Sequence, residues 1–234
     1  MASLIQGQLS FAILTGLVPS LIWLYFWHHI DRKNKEPMGL LILCFVLGGV
    51  SVLLATPLQA FTKNLSSDPT VRIAIWAGIE ELLKFIVFYL IAYKSDYDDE
   101  AIDPPLYLIT VALGFAAVEN IFYLMQPTAN FNVTATLLTG GMRFFGSSLL
   151  HTIASCFVGI SISLSSHRLR RFGILIGLAG ATFLHTTFNF FILKNDATSF
   201  IKTYGYLWVA AIISHVILEK LRRVPLKEST VQPT

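Results

Sequence analysis

MGLLILCFVLGGVSVLLATPLQA, Met38–Ala60, runs for twenty-three residues without one charged side chain. At about 1.5 Å per residue, a helix of that length crosses a hydrocarbon layer about 30 Å thick. A surface helix of a soluble protein would show a polar face; this one is apolar all round. Outward from it, comparable runs lie near residues 9–29, 72–93, 104–125, 144–165, 172–193 and 203–220. Together they predict an all-α polytopic transmembrane helical bundle of about seven spans. Composition agrees, because only 13% of the 234 residues are charged, where soluble domains carry roughly 25%. Pro104 and Pro105 fit the start of the fourth helix, where a missing N–H costs nothing. Pro57 is expected to kink or terminate the second.

No polar stretch is long enough for a second domain, so residues 1–234 read as one membrane domain with residues 221–234 as a tail. Cys44 and Cys156 both fall inside apolar runs and read as small packing residues rather than as a disulfide or metal clip. The N-terminal MASLIQGQLS has no basic region before its apolar run, so no cleavable signal peptide is expected. A net charge of +3 is too small to argue for nucleic acid. Orientation follows from lysine and arginine in short loops. The loops after helices one, three and five and the tail hold eleven such residues, among them Arg32, Lys33, Arg168, Arg170 and Arg223; the opposite side holds five. The bias predicts the N-terminus outside and the C-terminal tail in the cytoplasm.

Ionisable groups inside a span are costly unless they face a polar interior, so each is a functional candidate. The third helix has Glu80, Glu81 and Lys84 in GIEELLKF, and the fourth has Glu119 and Asn120 in GFAAVENIFY. The fifth has His151 in SSLLHTIAS, and the sixth has His185 and Asn189 in FLHTTFNFF. Counted from the outer helix ends, Glu80 and Glu81 lie roughly 12 Å deep, Glu119 roughly 9 Å, His151 roughly 10 Å and His185 roughly 12 Å. Four helices of alternating direction thus place carboxylates and imidazoles in one layer of the outer half of the membrane.

Peptide hydrolysis needs an activated water, a carboxylate to take its proton and a positive group for the oxyanion. Two histidines and a glutamate are also a zinc shell, with water in the fourth position. Glu119, His151 and His185 could form that shell, leaving one of the adjacent glutamates as general base. Lys84 is within one turn of both Glu80 and Glu81, so one of them is expected to pair with it while the other faces the cavity. Asn189 shares a helix face with His185 and could orient the ring or donate to the oxyanion. The plain alternative is a structural ion pair, which would leave one carboxylate uncompensated. A proton- or cation-coupled transporter is the alternative from another class, but it predicts an inverted repeat and polar residues through the whole thickness. Neither is present. Arg143 is either an interfacial side chain or a ligand for substrate carbonyl or lipid phosphate. His28, His29, His215 and Glu219, near helix ends, read as interfacial. Asn64 and Asn132 begin glycosylation sequons too common to use.

In order on successive helices, EELLK (Glu80–Lys84), FAAVE (Phe115–Glu119), the lone His151 and HTTFN (His185–Asn189) resemble the PrsW-type intramembrane proteases, distant relatives of the CAAX prenyl endopeptidases. HHIDRKNKEPMGLL (His28–Leu41), with its D-x-x-x-x-E-P spacing, is similar to that family as well. The resemblance spans about residues 20–195. It implies a membrane-embedded endopeptidase of a bacterial plasma membrane that cuts a membrane-anchored protein, such as an anti-sigma factor, near the extracytoplasmic side. It also implies that Glu80 activates water and that Glu81 pairs with Lys84; on the residue chemistry above, Glu119, His151 and His185 then hold water or Zn2+, with Asn189 assisting. CAAX relatives carry histidine where this chain has Glu119, which leaves the metal open at this point.

Overall fold

The computed structural model describes residues 2–30, 36–62, 65–93, 95–125, 144–194 and 197–224. Asp31, Asn64, Asn132, Arg143 and the last ten residues of the tail lie outside the described residues. Among the described residues there is no strand, and seven long helices follow one another. They are α1 (Ala2–Ile30), α2 (Met38–Thr62), α3 (Pro69–Ile91), α4 (Asp103–Leu124), α5 (Leu149–Ser163), α6 (Arg170–Lys194) and α7 (Ala197–Leu221). A π-turn at Phe144–Ser148 runs into α5, and a short 3-10 turn at His167–Leu169 precedes α6.

Six of these helices contain a stretch long and apolar enough to cross a membrane. The exception is α3, and the cause is chemical: any long window along it takes in Glu80, Glu81 and Lys84. All three are buried in the bundle rather than turned outward. The helix starts firmly, with Pro69 in its first turn and the Asp68 carboxylate accepting from the Thr70 N–H at 2.7 Å, which caps an otherwise unpaired donor. Pro104 and Pro105 do open α4. Pro57 does not end α2, which continues to Thr62. One proline removes a single helical hydrogen bond, and the packed neighbours hold the last turn in place.

The centre of the molecule is α4 and α5. Every residue of α4 from Asp103 to Ala117 is buried, as an all-round apolar helix requires. Around this pair pack α1 and α2 on α4, α6 and α7 on α5, and α3 between α2 and α6. One core cluster, with Phe88, Tyr107, Val111 and Val158, joins α3, α4 and α5. Cys44 and Cys156 are buried free thiols, in keeping with a packing role.

Lipid offers no hydrophobic drive between helices, so close association relies on small residues that let backbones touch. A methyl group at Gly114 would overlap the Phe45 carbonyl oxygen, and one at Gly48 would overlap that of Val111. These two glycines therefore set the separation of α2 and α4. Gly114→Val is expected to cost about 3 kcal/mol, read as a lower unfolding temperature in detergent; an unchanged transition would mean that the two helices are not in contact there.

Candidate active site

Glu81 and Lys84 lie three apart on α3, hence on one face. The Lys84 ammonium meets Glu81 Oε1 at 2.6 Å and the Nδ1 of His151, on α5, at 2.9 Å. An ammonium only donates, so Nδ1 of His151 accepts and the ring proton sits on Nε2. That Nε2–H points to Glu119 Oε2, on α4, at 3.0 Å. On α6, His185 Nδ1 lies 2.7 Å from Glu81 Oε1. The carboxylate accepts there, so a neutral His185 carries its lone pair on Nε2, and that atom is 3.6 Å from Glu80 Oε2. The two imidazoles stand edge to face with centroids 5.0 Å apart.

Six of the seven expected site residues thus form one network across four helices: Glu80, Glu81, Lys84, Glu119, His151 and His185. Asn189 is half-buried one turn past His185 and joins none of these bonds among the described residues. Lys84, Glu81, His151 and His185 are all but sealed from solvent, whereas the Glu119 side chain is 29% exposed. Phe115 lies under the Lys84 ammonium, 5.2 Å from its ring centroid, and beside His151. Ser147, in the π-turn, donates to Glu119 Oε2 at 3.4 Å, and Asn120 donates to Ser148 Oγ at 3.2 Å. A π-turn at this point is no surprise, because such bulges recur at functional sites.

Sequence reasoning missed one participant. Gln59 Nε2, in the last turn of α2, donates to Glu80 Oε1 at 2.6 Å. The available signal was its place two residues after Pro57 near the end of an otherwise apolar run, where it passes for an interfacial side chain.

Does the site suit a metal? Glu80, His151 and His185 each offer one ligand atom, and these atoms all lie within 4.8 Å of one another. Glu80 Oε2 is buried and has no hydrogen-bond partner among the described residues. It faces the His185 Nε2 lone pair, so two electron-pair donors confront each other, an arrangement that a cation between them satisfies. The Glu81–His185 hydrogen bond is the kind that fixes the tautomer of a metal-ligating imidazole. Two imidazole nitrogens and a carboxylate oxygen are a donor set that zinc accepts, on condition that His151 gives up the Nε2 proton it shares with Glu119 and offers that lone pair to the metal. The residues fit.

A model of the PrsW family, described as intramembrane metalloproteases, matches residues 36–217. The chain belongs to that family. Among its PrsW relatives is Protease PrsW of Geobacillus kaustophilus, 25% identical over 86% of this chain and 88% of the relative. Protease PrsW of Oceanobacillus iheyensis is 29% identical over 74% of this chain and 70% of the relative. Protease PrsW of Bacillus subtilis is 25% identical over 85% and 91%. No solved structure matches the chain. With six apolar spans among the described residues and bacterial PrsW relatives, this is an integral protein of the bacterial cell membrane and an intramembrane protease. The transporter alternative is set aside by the family match.

Proposed function

We propose that this PrsW-family protease uses a catalytic zinc held by Glu80, His151 and His185, with Glu119 as general base. The observation that carries the reading is the convergence of those three donors within 4.8 Å in a buried site. It exchanges the roles first expected for Glu80 and Glu119. Glu80 is the carboxylate near both rings, while Glu119 hangs on His151 Nε2 and reaches toward the more exposed edge.

When bound, the metal supplies Lewis acidity for the scissile carbonyl and acidifies water. Glu119 takes the proton from the attacking water as its oxygen bonds to the carbonyl carbon. It passes that proton to the leaving amine as the C–N bond breaks. Glu81 and Lys84 hold the imidazoles: Glu81 keeps His185 in its Nδ1–H tautomer, and Lys84 carries the positive charge that keeps Glu81 ionised. Asn189 donates to the developing oxyanion.

The substrate on this reading is a membrane-anchored protein, an anti-sigma factor for example, cut near the extracytoplasmic side. It enters laterally and unwinds at the cut, because an intact helix hides its carbonyls in its own hydrogen bonds. The chain acts as one domain with its N-terminus outside and residues 221–234 in the cytoplasm. The test is cleavage of a panel of single-span reporters in proteoliposomes by wild type and His185→Ala, with and without a zinc chelator. The expected result is cleavage by wild type alone, lost with the chelator and restored by zinc. Chelator-resistant cleavage would overturn the metal, and cleavage by His185→Ala would overturn the site.

A further inference from the structure

We propose that Gln59 is a positioning residue for the metal ligand Glu80, occupying one carboxylate oxygen so that the other is left to the site. The proposal rests on the reading of Glu80 as a zinc donor.

The geometry is specific. An ionised carboxylate only accepts, so the amide NH2 of Gln59 is the group that faces Glu80. Its bond to Oε1 is short, at 2.6 Å. The remaining oxygen, Oε2, has no hydrogen-bond partner among the described residues and lies 3.6 Å from His185 Nε2. One oxygen is therefore taken and oriented, and the one facing the imidazole is not. The residue type matters too. A lysine or arginine would hold Glu80 by charge and compete with a cation, while a carboxylate would repel it. A neutral amide fixes the carboxylate plane and leaves the charge of the site unchanged.

Gln59 is itself held. Its backbone carbonyl accepts from the Trp76 indole N–H at 3.2 Å and from Thr62 Oγ1 at 2.7 Å. The same indole N–H reaches Thr62 Oγ1 at 2.6 Å. Trp76 lies one turn before Glu80 on the same helix. The last turn of α2 is thus clamped to α3 beside the carboxylate that it steers, and a ligand supported this way keeps its geometry when empty.

The experiment uses the full chain, purified in detergent and stripped of metal, with zinc as the probe. Zinc affinity is measured by competition with a chromophoric chelator for wild type, Gln59→Leu, Trp76→Phe and Glu80→Gln. Reporter cleavage is then followed at limiting and at saturating zinc. Gln59→Leu is expected to bind zinc roughly 10- to 100-fold more weakly, with cleavage low at limiting zinc and recovered at saturation. Trp76→Phe, which removes only the clamp, is expected to weaken zinc by a smaller factor in the same direction, and it serves if Gln59→Leu does not fold. Zinc affinity unchanged in both would overturn the proposal. So would a loss of cleavage that saturating zinc does not restore, since that marks a folding role. The Glu80→Gln arm separates the two levels. If it binds zinc as tightly as wild type, or if wild type binds none, the reading of Glu80 falls and this proposal with it. If it loses zinc while Gln59→Leu and Trp76→Phe do not, this proposal alone falls.

Discussion

Glu119→Gln is expected to lower reporter cleavage by about 100-fold or more while leaving bound zinc in place, and Glu80→Gln is expected to lose both. The two glutamines are near-isosteric with the acids, so neither change opens a cavity. What differs is where each carboxylate stands. Glu80 is buried between Gln59 and His185 and shares a 4.8 Å neighbourhood with both imidazoles. Glu119 touches His151 through Nε2 and the Ser147 hydroxyl, and its side chain is 29% exposed. A ligand's loss removes the metal and therefore the reaction. A base's loss removes only proton transfer. Metal analysis of the purified variants beside their cleavage rates reads the difference directly. If Glu80→Gln keeps its zinc and Glu119→Gln sheds it, the roles are the reverse of those proposed.

Lys84→Met is expected to cost about 3–5 kcal/mol of stability, at least as much as the Gly114→Val change. Lys84 is fully buried and donates to both Glu81 and His151. Methionine has a similar length but no charge, so the change leaves the Glu81 carboxylate buried without its cation and His151 Nδ1 without its donor. Adding Glu81→Gln to Lys84→Met removes the uncompensated charge and should return part of the loss, a non-additivity that marks a direct pair. Thermal unfolding in detergent of the two single variants and the double gives the three values. Additive losses would mean that the two side chains do not act on one another.

Much of this was legible in the sequence, and the boundary between what was and was not is physical. Apolar runs such as Met38–Ala60 announce helices because lipid leaves no other way to satisfy a backbone. The shared layer of Glu80, Glu81, Glu119, His151 and His185 was legible from axial rise alone, which fixes depth but not direction. Direction is where reading stopped. Which glutamate stands beside both imidazoles depends on how α3 and α4 are rotated about their axes, and packing around Gly48 and Gly114 sets such angles. Gln59 was hidden for a related reason. Its partner is twenty-one residues away on another helix, and a single amide near a helix end carries no pattern of its own.

The charges that made α3 the exception among the spans also govern how the protein can be made. Each charged residue at the middle of an inserting helix is unfavourable by about 2.5–3.5 kcal/mol, and α3 brings Glu80, Glu81 and Lys84 together. Lys84 and Glu81 can neutralise one another at once, being one turn apart. The imidazoles that complete the set arrive late, because His151 follows Lys84 by sixty-seven residues and His185 follows Glu81 by one hundred and four. At about 5–20 residues per second, α3 waits for seconds before α5 and then α6 are synthesised. Through that interval it must be sheltered, against α2 and α4 or within the insertion machinery, rather than released into lipid. The catalytic centre therefore closes only when the sixth of the seven long helices arrives, and a chain halted before α6 would carry its acids into the membrane without the groups that make them tolerable there.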